Sequence, residues 1–85
     1  LSEAGLEKWI KVFPNPTTGN MTITSFLTID QLVLRDVAGR ILFIQHPNTA
    51  RADLDLSAFK KGMYMMSAHL NDGRIKSQKL ILINE

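Results

Sequence analysis

Short apolar runs of roughly four to eight residues, each cut off by a turn signal, recur along the whole chain. Apolar residues do not repeat every three or four positions, so a helix has no amphipathic face to build on. This is the all-β pattern. At 85 residues the chain makes one domain, near the lower limit of unaided folding. With no cysteine, neither disulfides nor thiolate metal sites can hold it together. Stability rests on a hydrophobic core, for which 45% hydrophobic residues suffice. The missing cysteines argue against a small eukaryotic secreted module and fit a cytosolic protein or an exported bacterial one. The chain opens at Leu1, and no apolar run is long enough to cross a membrane as a helix. It reads as a piece of a longer protein.

Seven strands are expected. Trp9 to Phe13 is stopped by Pro14, and Met21 to Leu27 alternates Met21, Ile23 and Ser25 with Thr22, Thr24 and Phe26. Gln31 to Val37 places Leu32 and Leu34 on one face. "DVAG" then has Asp at the first and Gly at the last position of a type I turn. There the Asp36 carboxylate accepts backbone N–H bonds and Gly39 takes a positive φ. Arg40 to Gln45 returns. After Pro47-Asn48, Ala52 to Leu56 turns Leu54 and Leu56 inward and Asp53 and Asp55 outward. In "LSAFKKG" the Ser57 hydroxyl caps backbone donors, Phe59 dips into the core and Gly62 resets the chain. Met63 to Leu70 carries Tyr64, Met66, Ala68 and Leu70 on one face and Met63, Met65, Ser67 and His69 on the other. "NDG" makes a hairpin turn, and Ile75 to Ile83 returns. About seven antiparallel strands at this spacing make a β-sandwich with negligible helix. Leu80, Ile81, Leu82 and Ile83 are apolar on both faces of the last strand, which predicts that both faces are covered.

Net charge is +2, too small to point to nucleic acid. From Lys60 to Lys79, however, five basic residues stand against Asp72 alone. These are either solvated surface or a weakly basic face for an anionic partner. His46 and His69 are far apart and read as solvated strand residues rather than a zinc pair. Asp53 and Asp55 have a spacing that can share a calcium ion, but no bidentate Glu or glycine turn accompanies them. No phosphate-cradling loop opens a helix, and no nucleophile has a recognisable setting. The chain is read as having no catalysis and no cofactor of its own. Met63, Met65 and Met66 pack the core and rim or form an adaptable binding surface.

Four blocks together resemble a known family. "KVFPNPTTG", "VLRDVAGRIL", "DLSAFKKGMYMM" and "NDGRIKSQKLILINE" follow, in order, the motifs of the type A C-terminal sorting domain of the type IX secretion system of Bacteroidetes. They span Lys11 to Glu85, with residues 1–10 as a lead-in from the parent protein. Met63 and Met66 depart from the more usual β-branched residues, and the chain runs two residues past the aliphatic block.

The resemblance implies an immunoglobulin-like sandwich at the end of a larger exported cargo. The implied partners are the outer-membrane translocon and a sortase-like peptidase, which commonly removes the domain while the cargo joins the cell surface. Recognition candidates are Pro14, Asn15, Pro16, Gly19, Asp36, Gly39, Arg40, Gly62, Tyr64, Lys76 and Lys79. Pro14 and Pro16 fix φ, so the entry loop is a rigid shape. It serves either as a projecting recognition feature or as a stiff start to the first strand. An adhesion module for carbohydrate or protein is the alternative reading, and an aromatic platform would favour it. Homodimerisation through exposed strand edges is left open.

Overall fold

The computed structural model describes residues 10–83. Residues 1–9, which include Trp9 of the expected first strand and most of the expected lead-in, and the last two residues lie outside that range; Ile10, expected in the lead-in, instead begins the first strand and is buried in the core. Among the described residues, six antiparallel strands form one curled sheet: β1 Ile10–Phe13, β2 Asn20–Asp36, β3 Ile41–Gln45, β4 Thr49–Asp55, β5 Gly62–Leu70 and β6 Ile75–Leu82. No helix occurs among the described residues.

The strand count is a correction to the expected seven, and its cause is local. The second and third expected strands are one 17-residue strand, β2. Its inward-facing residues are Met21, Ile23 and Ile29 in the first part, and Leu32 and Leu34 in the second. The inward parity therefore switches from odd to even. Register shifts against β4 and β5 fall on either side of Ile29, where a bulge re-aims the side chains. A break in alternation marks a bend as readily as a chain reversal.

That bend organises the molecule. The first part of β2 lies between β1 and β4, and the second part between β3 and β5, with β6 beyond. Folding β2 over brings the two parts face to face around a core that includes Ile23, Ile29, Leu32, Leu34, Leu56, Met66, Leu80 and Leu82. Phe59 and Tyr64 pack against its rim, with Phe43 5.8 Å from Phe59 between ring centroids. Leu54 and Leu56 face inward and Asp53 and Asp55 outward, as the alternation predicts.

Two local expectations change. Ser57 does not do the capping: the Asp55 carboxylate accepts the Ser57 N–H at 3.0 Å, because an Asx side chain reaches the amide two residues on. The last strand is covered on one face only, with Leu80 and Leu82 buried while Ile81 is half-buried and Ile83 exposed.

Candidate functional site

β6 would be an open edge, a liability for any sheet. It is closed by the segment that follows β1. The Asn15 side chain lies along β6 as a strand would, its Nδ2 donating to the Lys79 carbonyl at 2.7 Å and its Oδ1 accepting from the Ile81 amide at 3.1 Å. An asparagine amide has the same donor and acceptor as a peptide group, so one side chain replaces one rung of the ladder. Thr17 continues it with a parallel bridge to Leu82, donating its N–H to the Ile81 carbonyl and accepting from the Ile83 amide, both at 2.9 Å.

Thr17 is the hub of the loop and only 2% exposed. Its hydroxyl donates to the Asn20 carbonyl at 2.8 Å and accepts from the Gly19 amide at 3.0 Å. All its polar groups are used. Sequence reasoning passed it over, although a threonine two residues before a turn glycine is a recognisable side-chain-to-backbone motif. Gly19, at φ 151°, carries its carbonyl to the Leu56 amide, and a Cβ there would meet the Ser57 Cβ at 3.1 Å. Pro14 and Pro16 follow cis peptide bonds and are exposed. The loop clamps the last strand, with Pro14, Asn15, Pro16 and Thr18 exposed and Thr17 and Gly19 buried.

The "DVAG" turn forms as expected. Asp36 Oδ1 accepts from the Ala38 and Arg40 amides at 3.0 Å each, and the Gly39 amide bonds the Asp36 carbonyl. Gly39 sits at φ 86°. The Arg40 guanidinium grips Asp36 Oδ2 from Nε and from Nη2, both at 3.0 Å. The backbone bond from Arg40 is the main reason the Asp36 carboxyl lies below its ordinary pKa, with the Ala38 amide and the Arg40 side chain adding to it against some desolvation. Asp72 repeats the device in the "NDG" turn, bonding the Arg74 amide at 3.0 Å and its guanidinium at 2.8 Å.

Cross-strand pairing brings most of the remaining candidates to this end of the molecule. Asp36 pairs with Tyr64 and Gly62 with Leu82, which in turn meets Thr17. The Tyr64 hydroxyl donates back to the Lys60 carbonyl while its ring packs edge-on to Phe59 at 6.2 Å. Lys79 belongs to the cluster through Asn15. Lys76 does not: it pairs with Ala68 towards the other end, and on β6 it shares a face with Leu80 and Leu82, whereas Lys79 faces the opposite way.

Asp53 and Asp55 are engaged elsewhere. Asp53 accepts from the Thr22 hydroxyl at 2.6 Å and pairs with Arg51, while Asp55 is held by Ser57, and both carboxyls lie below their ordinary pKa for these reasons. Phe43, Phe59 and Tyr64 are part of the core rim; of the other described aromatics, Phe13 and Phe26 are exposed.

This is a domain whose first and last segments are locked to one another, with its turns braced by carboxylates. The sequence profile of the family described as the secretion system C-terminal sorting domain matches residues 11–84, and the chain belongs to that family. It is a C-terminal secretion signal of the type IX system, directing export to the cell surface or extracellular space. It is 28% identical over 75 residues to an ulvan lyase of Nonlabens ulvanivorans. That match covers 86% of this chain and 14% of the lyase, so the chain spans a small part of this relative.

Proposed function

We propose that the domain is the terminal address of a larger secreted protein, gripped by the type IX translocon at the end where the entry loop clamps β6. The observation behind this reading is the pair of Asn15 bonds to Lys79 and Ile81, which makes the first and last motifs one continuous surface. Pro14 and Pro16 present a fixed shape there, so a partner loses little entropy in ordering it. The translocon carries the cargo to the outer-membrane surface. A sortase-like peptidase then cuts within "SEAGLEK", Ser2 to Lys8, in the lead-in from the parent, and the cargo is retained on the surface. By analogy with the lyase, the cargo is itself an enzyme. An immunoglobulin-like sandwich is the matching architecture; the Tyr64 hydroxyl bonded four residues upstream supports it, as in the tyrosine corner of such domains.

The test is to fuse residues 1–85 to the C-terminus of an inert reporter bearing a signal peptide, in a bacterium with a type IX system. The reporter is expected on the surface or in the medium, with its new C-terminus, read by mass spectrometry, inside Ser2 to Lys8. Periplasmic retention of a folded fusion overturns the sorting reading. A cut beyond Lys11 overturns only the cleavage position.

A further inference from the structure

The outer face of the β3–β2–β5–β6 sheet takes no part in the clamp. Register places its side chains in rows: Ile41, Arg35, Met65 and Lys79 lie across from one another, followed by Ile44, Val33, Ser67 and Ser77. Ile41 and Ile44 are 49% and 45% exposed, Met63 and Met65 49% and 40%. A groove of about 370 Å³ runs over this end of the face, lined by Arg35, Val37, Met63, Met65 and Lys79 among others. Strands are about 4.8 Å apart, so Arg35 and Lys79 stand on the order of 10 Å apart across Met65. Neither has an ion-pair partner among the described residues. None of the face residues of these strands is acidic. Asp36 at the rim of the groove has its carboxylate held by Arg40 and two turn amides. Two cations with no counter-ion among the described residues thus flank an apolar floor.

We propose that this face docks an extended, acidic and partly apolar segment of a protein partner, its carboxylates pairing with Arg35 and Lys79 and its apolar side chains lying on Met63, Met65 and Val37. Arg offers a fork matched to a carboxylate, and methionine adapts to varied apolar shapes. Alternate residues of an extended segment present side chains about 6.7 Å apart on one face, and the long Arg and Lys side chains span the remainder. Two cations fall short of the cluster of roughly four to eight that an anionic membrane surface requires, which favours a peptide. The inference rests on the sorting reading and names the chemistry of one of its contacts.

The probe is a fluorescent peptide alternating Glu and Val, titrated against the 85-residue chain at low salt, beside its Gln-Val counterpart and phosphatidylglycerol vesicles. The Glu peptide is expected to bind about tenfold tighter than the Gln peptide. The double variant Arg35→Gln, Lys79→Gln should lose about that factor, the worth of two exposed charge pairs, with an unchanged urea midpoint. Lys61→Gln, outside the groove lining, should bind like the parent. Equal affinity for the two peptides, binding of neither, or binding of the vesicles in place of the Glu peptide overturns the proposal. In the reporter assay, normal export of the double variant overturns this face as a sorting contact. Retention of the unmodified reporter instead overturns the sorting reading.

Discussion

Asn15 shows how much one side chain does when it substitutes for backbone. Removing its amide leaves the Lys79 carbonyl and the Ile81 amide without their partner. Asn15→Ala is expected to cost on the order of 1–2 kcal/mol in urea denaturation, the worth of two hydrogen bonds at a solvent-accessible site. Asn15→Asp should be no better than Ala, because a carboxylate still accepts from Ile81 but faces the Lys79 carbonyl with no donor. Full stability of Asn15→Asp would show that the Lys79 bond contributes nothing. Asp36 makes the same point through pH. Its folded pKa lies below the ordinary 3.8, so its contribution is fully present above that value and is lost as pH falls through the folded pKa. Asp36→Asn should therefore flatten the decline of the urea midpoint below about pH 4, leaving the part due to Asp53 and Asp55, which shift the same way. An unchanged acid limb would mean that Arg40 and the turn amides do not favour the charged form.

Among the elements, β6 separates apolar composition from burial. The four aliphatic residues from Leu80 to Ile83, at and just beyond its end, look alike in sequence, yet Leu80 is fully buried and Ile83 is 41% exposed. Leu80→Ala should cost about 2–5 kcal/mol through lost transfer energy and the cavity left behind, whereas Ile83→Ala should cost less than about 1 kcal/mol. Equal losses would show that the second face of the strand is covered after all. Deleting residues 80–85 removes both buried leucines and the acceptor for Thr17, a large share of the roughly 5–15 kcal/mol a small domain has. β2 carries the other lesson at this scale. Its odd-to-even change of inward parity is visible in the residues, but alternation alone does not say whether the chain turns back or bends onward.

Over the whole molecule, the sheet curls until the segment after β1 closes on the edge of β6. This makes stability non-local: the Thr17 amide finds its acceptor on Ile81 and the Ile83 amide returns to Thr17. Such amides open only when the two ends part. In hydrogen exchange, Thr17 and Ile83 should be protected to the same degree as one another and should lose protection together in Asn15→Ala. Fast exchange at Thr17 beside a protected β6 would show that the loop detaches independently. A sorting signal built this way presents its first and last motifs together or not at all.

Much of the domain was legible from residues alone. Apolar runs bounded by turn signals placed five of the expected strands to within a few residues, and in two of them, β4 and β5, period-two alternation also separated the faces, because one buried face imposes that period. "DVAG" and "NDG" were legible because a carboxylate reaching amides two to four residues on is local chemistry. What only the tertiary structure decided depends on partners far along the chain. The clamp joins residues 64 apart, so no pattern around Asn15 announces Lys79 as its acceptor. Register sets Lys79 in one row with Arg35, which no basic run in the sequence contains. Pairing partners follow from how the bent β2 folds its two parts together, and that is settled by burial of the whole core at once.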